Sequence, residues 1–314
     1  MKTVFTPYDH GSSAFLEVER FLAQSVAAFE TPRNWFIDRW NFTYAVSRVM
    51  HGATVADWAK AIGLWRNEEG RIVAMAHEEE QRGDVFFEFD RPDRVEEGLL
   101  SEMFAFAERA CVKMRNGETG FGLRIPQGDS LTAALAAERG YRKGDWSESL
   151  AVRPIPYASR NGESGEVPGD LRLIEGAAIA PDRKALAHAR AFGYADKQDS
   201  LPASVAAFEN LTEAPSYRRD LDLALENGDG EIVSFVGLWL DPVSRLGVLE
   251  PVGTVPAYRK RGLARLLIAE GERRLERLGA KRLFVGSDQE FYKAVGFRVI
   301  ARQDVWEYRA PLKP

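Results

Sequence analysis

Six consecutive residues, Arg259-Lys260-Arg261-Gly262-Leu263-Ala264, form the part of the chain best suited to binding a ligand. They follow an apolar, β-branched segment and Pro256, and they begin a segment with helical periodicity. The first turn of a helix has backbone N–H groups without internal partners and carries the positive end of the helix dipole, so a phosphate binds there. Gly262 and Ala264 leave room for a ligand close to the backbone, and the three basic side chains add positive charge. The pattern predicts a diphosphate site at a strand–turn–helix junction.

The helix predicted after this turn has one apolar face. Apolar residues recur there at the i, i+3, i+4 spacing, namely at Leu263, Leu266, Leu267, Leu275 and Leu278. We expect the helix to run from near Arg261 to near Gly279, after a strand from Leu246 to Val255. Basic residues at a helix start oppose the dipole by roughly a few tenths of a kcal/mol, so a purely structural turn favours Asp or Glu there. The basic run therefore favours a ligand site, with a structural turn as the alternative.

A second motif, Phe291-Tyr292-Lys293-Ala294-Val295-Gly296-Phe297, follows later in the chain. Together, Arg-x-x-Gly-x-Ala after a strand and Tyr-x-x-x-Gly-Phe near the end resemble the GCN5-related N-acetyltransferase (GNAT) superfamily. The resemblance implies that the first motif holds the diphosphate of acetyl-CoA through backbone amides. It also implies that Tyr292 lies on a short helix that enters a late strand. At the level of motifs the resemblance covers Val248 to Phe297.

The resemblance further implies which residues bind acetyl-CoA, as a co-substrate and without a metal. Backbone groups at the end of the preceding strand pair with the pantetheine arm in this family. The residues at the corresponding positions here, with those of the first motif, are Val252, Gly253, Thr254, Val255, Arg259, Lys260, Arg261, Gly262, Leu263 and Ala264. Gly253 is expected to allow close approach or a β-bulge.

Tyr292 and Glu250 are the candidate catalytic residues. A phenol at the position of Tyr292 can protonate the departing thiolate, although packing and a hydrogen bond to a backbone carbonyl are the structural alternative. An alkyl ammonium titrates near 10, so a base is needed before it attacks. Glu250 lies in an otherwise apolar strand, where burying a carboxylate is costly, and we expect it to act as that base, directly or through water. Its other interpretations are acceptor binding and a side chain that faces solvent.

The chain also resembles itself. Glu69-Gly70-Arg71-Ile72-Val73 matches Asp229-Gly230-Glu231-Ile232-Val233, and Glu138-Arg139-Gly140-Tyr141-Arg142 matches Ala294-Val295-Gly296-Phe297-Arg298. We therefore predict an α+β protein of two tandem GNAT folds, each a mixed, mostly antiparallel, twisted sheet flanked by helices. The predicted parts are an N-terminal GNAT-like domain over 1–152, a linker over 153–170 and a C-terminal GNAT domain over 171–314 that carries the acetyl-CoA site.

The N-terminal copy lacks the residues that chemistry needs. Val95-Glu96-Glu97 stands opposite Arg259-Lys260-Arg261, so two carboxylates occupy the place where a diphosphate needs positive charge. Counting back from Gly140 as from Gly296 puts Ala136 in the place of Tyr292. We expect this copy to be degenerate, as in tandem GNAT proteins of the mycothiol synthase-like type. In such proteins the degenerate half can help to form the acceptor pocket.

Two aromatic-rich segments precede the first copy's sheet. The stretch from Trp35 to Tyr44 is predicted to be core or to line a pocket, and a helix is expected around Trp58 to Leu64. Candidate acceptor-site residues, most of them expected to be structural, are Trp35, Asp38, Arg39, Trp40, Trp239, Asp241, Asp304 and Trp306.

Bulk properties limit the partners. The net charge of −5 gives no electrostatic case for nucleic acid or an anionic membrane. The single cysteine, Cys111, excludes an internal disulfide and fits a reducing cytoplasm. No apolar run is long enough to span a bilayer, the start lacks the apolar region of a signal peptide, and the four histidines lack metal-ligand spacing.

These observations predict an acyl-CoA-dependent N-acyltransferase that moves acetyl from acetyl-CoA to a primary amine of a small molecule, as a monomer or homodimer. A non-catalytic CoA-binding sensor or scaffold is the alternative. A transferase that uses aminoacyl-tRNA on a similar fold is disfavoured by the acidic net charge. The identity of the acceptor is not readable from the residues.

Overall fold

A computed structural model describes residues 2–29, 31–79, 83–115, 117–157, 166–196 and 200–310. The chain divides into two compact units that are not continuous in sequence. The N-terminal unit comprises Met1–Phe36, His51–Ser149 and Ile300–Pro314, and the C-terminal unit comprises Ile37–Met50 and Leu150–Val299.

Both units contain strands and helices. The strands are β1 Val4–Pro7, β2 Ile62–Arg66, β3 Ile72–Glu79, β4 Asp84–Phe89, β5 Lys113–Arg115, β6 Glu118–Pro126, β7 Arg142–Pro154, β8 Leu171–Glu175, β9 Asp222–Asn227, β10 Ile232–Asp241, β11 Leu246–Thr254, β12 Arg282–Val285 and β13 Arg298–Arg309. The α-helices are α1 Ser12–Ala28, α2 Ile37–Phe42, α3 Arg48–Met50, α4 Val55–Lys60, α5 Glu97–Ala110, α6 Ser130–Glu138, α7 Pro181–Phe192, α8 Ser200–Leu211, α9 Leu263–Arg277 and α10 Glu290–Ala294. A π-helix, Thr43–Ser47, connects α2 to α3.

The N-terminal unit has a mixed, mostly antiparallel sheet in the order β1-β2-β3-β4-β6, with β5 also on β6. Only β4 and β6 pair in parallel there, at Asp84↔Gly122 and Val85↔Leu123. Residues 303–309 of β13 then pair antiparallel with β6. Helix α5 covers the sheet, and its apolar face, which includes Leu100 and Phe104, is fully buried.

The C-terminal unit repeats this arrangement in the order β8-β9-β10-β11-β12. Strands β11 and β12 are parallel, whereas residues 151–154 of β7 pair antiparallel with β12. Each unit thus includes strand residues from the other half of the sequence. The mixed strand order with flanking helices in each unit confirms the predicted fold class, while the boundaries 1–152, 153–170 and 171–314 stay a prediction. Residues 158–165 of the predicted linker lie outside the described residues.

Helix α9 packs its apolar stripe on this second sheet. Leu267 and Leu275 are fully buried, in one cluster with Leu238, Leu249 and Leu283. A Cβ atom at Gly271 would lie 2.3 Å from Leu238 Cδ1, so the helix needs glycine there to approach the sheet this closely.

The helix expected around Trp58 to Leu64 is wrong in its second half. Helix α4 ends at Lys60, and Ile62–Arg66 is strand β2, which pairs with both β1 and β3. The apolar run of this strand has no periodicity that separates a buried strand from a buried helix. Long-range pairing decides its conformation.

Candidate active site

A cleft opens in the C-terminal unit where two parallel strands diverge. Strands β11 and β12 pair from Leu246↔Arg282 to Val248↔Phe284, and no further pair is recorded along the described chain. Strand β11 nevertheless continues to Thr254, paired on its other side with β10. The edge of β11 from Leu249 onward is therefore available to an extended ligand that pairs like another strand.

A β-bulge shapes this edge. Val236 pairs with Val252, but Leu238 pairs with Leu249, so Glu250 and Pro251 together oppose Gly237. A Cβ atom at position 237 would lie 2.5 Å from the Glu250 carbonyl oxygen, so glycine is required there.

The bulge is tied to its partner strand by a side chain. The indole N–H of Trp239 donates to the Glu250 carbonyl oxygen at 3.0 Å. Gly253, for which close approach or a bulge was expected, does not form the bulge; a Cβ atom there would lie 2.3 Å from the Phe235 ring. Gly253 serves close packing beneath the strand.

The turn before α9 presents backbone donors. Lys260 has φ 62° and Gly262 has φ 77°, both left-handed, while Arg261 between them is not. Such alternation turns successive N–H groups toward one point and forms an anion-binding nest. Among the residues that the structure describes, the N–H groups of Arg261, Gly262, Leu263 and Ala264 have no hydrogen-bond acceptor. The first helical bond runs from Leu266 N to the Gly262 carbonyl oxygen at 3.1 Å.

The space above the turn is open, since a Cβ atom at Gly262 would contact nothing within 4 Å. These free donors fit a diphosphate, and the structure brings the predicted residues of the turn together on one helix start. The predicted strand residues Val252, Gly253 and Thr254 lie at the end of β11, and Val255 follows them.

The basic side chains of the turn have different surroundings. The Arg259 guanidinium donates to the carbonyl oxygens of Thr254, at 3.1 Å, and Ala191, at 2.7 Å, so it braces the strand end against α7. The Nη2 atom of Arg261 donates to both carboxylate oxygens of Asp170, at 2.9 Å to each. Lys260 is exposed. Arg259 is therefore already engaged in positioning the turn.

Tyr292 lies on α10, beside the opening. Its ring packs edge-on against Phe297, with 5.8 Å between centroids, and contacts the apolar cluster that includes Leu263. Within the described part of the chain no hydrogen bond involves its hydroxyl group. Burial, and secondarily the negative charge of Glu250, raises the pKa of Tyr292 above its usual value. The phenol therefore keeps its proton at neutral pH and can donate it.

Glu250 is exposed, as in the solvent-facing interpretation of its strand position. The alternation of β11 turns its side chain to solvent while Leu249 is fully buried. Its negative charge nonetheless helps to raise the pKa of Tyr292, so the two groups interact electrostatically.

The N-terminal unit has the equivalent elements without these features. The N–H of Phe297 donates to the Tyr292 carbonyl oxygen, and the N–H of Tyr141 donates to that of Ala136, so both helices end alike at a left-handed glycine. The same hydrogen bond thus places Ala136 at the position of Tyr292. The pairing of β3 with β4 has no register shift, whereas the pairing of β10 with β11 has the bulge. The N-cap residue of α5 is the acidic Glu96, whereas that of α9 is Gly262.

Of the candidate acceptor residues, Asp38, Trp239 and Asp241 belong to the C-terminal unit. Asp38 is buried on α2, and its Oδ1 atom has no hydrogen-bond partner among the described residues. Burial, with a smaller contribution from the charge of Asp241, raises the pKa of Asp38 to about 6. Asp241 accepts from Val243 N at 2.9 Å and from the Ser244 hydroxyl.

The remaining candidate acceptor residues are divided between the two units. Arg39 and Trp40 share α2 with Asp38, whereas Trp35, Asp304 and Trp306 belong to the N-terminal unit. Asp304 is bonded there by Gln127 Nε2, Ser147 Oγ and Lys143 Nζ, at 2.9, 2.7 and 2.7 Å. Its carboxylate therefore has a structural role.

Two kinds of site are absent from the ranges that the structure describes. No three His, Cys, Asp or Glu side chains are grouped to hold a metal ion there. Within the same described ranges, no helix is both long enough and apolar enough to cross a bilayer.

Comparison with known proteins agrees with this geometry. Residues 185–297, which contain the cleft, the turn and Tyr292, match the model of the acetyltransferase (GNAT) family. Residues 185–297 therefore form a domain of the GNAT family. GNAT proteins in general are acyl-CoA N-acyltransferases, and the family match supports that general activity. No curated protein sequence matches the chain.

Solved structures show the tandem GNAT fold over the whole length. The chain is similar to a tandem GNAT protein from the clavulanic acid biosynthesis pathway, solved without AcCoA, at 13% identity and TM-score 0.64, covering 100% of both chains. It is also similar to a GCN5-related N-acetyltransferase from Sphaerobacter thermophilus, at 15% identity and TM-score 0.60, covering 99% of this chain and 97% of that one. A fungal glucosamine N-acetyltransferase region in a multi-domain β-N-acetylglucosaminidase aligns at 14% identity and TM-score 0.53, over 98% of this chain and 38% of that one. At these identities the likeness is one of fold.

Proposed function

We propose that the protein transfers an acetyl group from acetyl-CoA to a primary amine of a small molecule, in the cleft of its C-terminal unit. The free amide donors of the turn Arg261 to Ala264, next to the unpaired edge of β11, carry this proposal. A diphosphate and an extended pantetheine arm are the two parts of CoA that such features suit.

Binding of CoA depends on the backbone more than on side-chain charge. The amides of the turn would hold the diphosphate, and Lys260 would add positive charge from solvent. The edge from Leu249 to Thr254 would pair with pantetheine and fix the direction of the thioester carbonyl. Trp239 keeps the bulge in place beneath this edge through its bond to the Glu250 carbonyl oxygen.

The reaction moves protons before and after the attack. Glu250, directly or through water, takes one proton from the ammonium of the acceptor and passes it to solvent. The neutral amine nitrogen then forms a bond to the thioester carbonyl carbon and loses its second proton by the same route. The carbon–sulfur bond breaks, the departing thiolate takes the proton of the Tyr292 hydroxyl, and the phenolate regains a proton from solvent. A raised pKa of Tyr292 keeps that proton in place until the thiolate leaves.

A cationic acceptor suits the buried carboxylates of this unit. Asp38 Oδ1 is a buried acceptor for which the described residues supply no donor, and an ammonium or a second amino group would supply one. Asp241 adds negative charge nearby. We therefore favour a small acceptor with more than one amino group. Cys111, the single cysteine, is buried and compatible with the proposed cytoplasmic location.

Calorimetry with acetyl-CoA tests the binding step. Gly262→Asp places a carboxylate in the open space above the amides and should abolish binding, because the new charge repels the diphosphate. Gly98→Asp introduces the same change at the corresponding helix start of the N-terminal unit and should leave affinity unchanged. Wild-type protein without affinity for acetyl-CoA, or equal loss in both variants, would contradict the proposal.

A screen of amines tests the transfer step. Release of free CoA would be measured with polyamines, aminoglycosides, amino acids and thiol precursors as acceptors. If acetyl-CoA binds but no amine supports turnover, and Tyr292→Phe changes nothing that can be measured, the non-catalytic CoA sensor replaces the enzyme. Whether the protein acts as a monomer or a homodimer is a separate measurement by ultracentrifugation.

A further inference from the structure

The N-terminal unit contains a second opening between diverging parallel strands. Strands β4 and β6 pair only at Asp84↔Gly122 and Val85↔Leu123, as β11 and β12 do for a short stretch in the other unit. A surface pocket lies beyond this pairing, lined by Phe87 and Phe89 from β4 and by Arg124 from β6. The fold of the repeat thus leaves a cavity where the acetyl-CoA cleft would be, with a different lining.

Arg124 is the unusual residue of this pocket. Its side chain is only 9% exposed, and its Nη2 atom bonds Asp84 Oδ1 at 2.9 Å. Its Nε and Nη1 atoms are buried and have no hydrogen-bond partner among the described residues. The Trp146 ring covers the guanidinium at 4.4 Å. Buried guanidinium N–H groups without acceptors are costly, so a missing acceptor is expected there.

The other charged groups of the pocket favour an anionic acceptor. Arg33 lines the pocket with an exposed guanidinium, whose Nη1 makes only a long 3.5 Å contact to the Pro92 carbonyl oxygen. Asp129 also lines it, but its two oxygens accept from Thr132 N and Thr132 Oγ1, at 3.1 and 2.8 Å. Asp84 is bonded to Arg124 itself. Among the charged residues that line the pocket, the groups with unused hydrogen-bonding capacity are therefore N–H donors, those of Arg124 and Arg33.

We propose that this pocket binds a small organic carboxylate with an apolar body. The carboxylate accepts from Arg124 and Arg33, a pairing that planar guanidinium groups make well. The apolar body contacts Phe87, Phe89 and the neighbouring prolines. The carboxylate of Glu96 at the start of α5 would repel a diphosphate. The proposed ligand is therefore a simple carboxylate and not CoA. The site lies within the N-terminal unit, and its existence does not depend on the acetyltransferase proposal.

Titration of the full-length protein, followed by NMR chemical shifts or calorimetry, tests the site. Hexanoate and benzoate are the probes, their neutral amides are the shape-matched controls, and inorganic phosphate tests an anion without an apolar body. We expect the carboxylates to bind and the amides and phosphate not to. Arg124→Gln should weaken carboxylate binding by at least about tenfold, because it removes a charged donor. Arg71→Gln, an exposed arginine of the same unit, should not.

Arg33→Gln is the second pocket variant, and it keeps the test decisive if Arg124→Gln fails to fold. Because Arg33 is exposed, its replacement should not prevent folding. It should weaken carboxylate binding by about threefold or more. Absence of carboxylate binding, equal binding of the amides, preference for phosphate, or affinity unchanged in both pocket variants would each overturn the assignment. Acetyl-CoA affinity, measured in the same samples, reports independently on the C-terminal unit.

Discussion

The indole N–H of Trp239 donates a 3.0 Å hydrogen bond to the carbonyl oxygen of Glu250, at the point where β11 bulges away from β10. Trp239 is 5% exposed, so the bond is shielded from water. A carbonyl group that leaves the strand ladder needs another donor, and this indole provides it. The side chain therefore fixes the bulge that shapes the cleft edge.

Trp239→Phe removes the donor and keeps most of the ring volume. Loss of one such bond costs about 1 kcal/mol, so we expect kcat/KM for acetyl-CoA to fall about fivefold. Steady-state kinetics with varied acetyl-CoA checks this. Trp58→Phe, at a fully buried tryptophan of the N-terminal unit, is the control and should leave kcat/KM unchanged. Equal effects of the two substitutions would show a loss of stability instead of a role in the cleft.

Tyr292→Phe should separate catalysis from binding. General acid catalysis contributes about a hundredfold or more, so kcat should fall by that factor while calorimetric affinity for acetyl-CoA stays the same. Tyr258→Phe removes a hydroxyl that accepts from Asn227 Nδ2 at 3.2 Å, and it should retain kcat. Because the pKa of Tyr292 is raised, the wild-type kcat should not decline through ionisation of this phenol near pH 10. Full activity of Tyr292→Phe would assign the proton to another donor.

Arg259 and Arg261 should differ when each is changed to glutamine. Arg259 donates to two backbone carbonyls, so Arg259→Gln should lower the free energy of unfolding by about 1 kcal/mol and weaken acetyl-CoA binding by distorting the turn. Arg261 makes an exposed ion pair with Asp170, which contributes little to stability. Urea unfolding and calorimetry distinguish the two. If the two variants unfold at the same urea concentration and lose the same affinity for acetyl-CoA, both arginines act only through their charge.

The repeats were readable from sequence because local chemistry determines their helices. The leucine spacing predicted α9 to within a few residues, and α7 is bounded in the same local way by Pro181 in its first turn and by Gly193 in the left-handed region. A bulge at Gly253 is one of the two roles that the sequence suggests for that residue, whereas its actual position at Glu250 and Pro251 depends on the register with Gly237 on a separate strand. Two sequence signals could have located the bulge, namely Gly237 inside β10 and Pro251 inside β11.

The pocket of the N-terminal unit was not predicted. Arg124 and Asp84 are separated by 40 residues, and neither belongs to a motif. Burial of a guanidinium with two unpaired nitrogen atoms is a property of the assembled sheet, where β4 and β6 diverge. The N-terminal unit has the same divergence of two parallel strands but not the motif residues of the C-terminal unit, so no motif pointed to this pocket.

Asp38→Asn should stabilise the protein and weaken acceptor binding at the same time. Burial raises the pKa of Asp38 to about 6 in the folded state, above its value of about 3.9 in the unfolded chain. The unfolded state therefore ionises first as pH rises. Wild-type stability should fall between about pH 4 and pH 6 and then level off, by an amount on the order of 2 to 3 kcal/mol from this group.

The asparagine variant lacks that decline, so its advantage in urea unfolding should be absent near pH 4 and complete above pH 6. If Asp38 holds an amino group of the acceptor, the same variant should raise the KM for the amine while leaving that for acetyl-CoA unchanged. Asp57→Asn, an exposed carboxylate with a lowered pKa, is the control and should show neither effect. A gain in stability without a change in amine KM would make Asp38 a strained structural residue, since burial alone accounts for the pH dependence and only ligand contact accounts for the kinetic change.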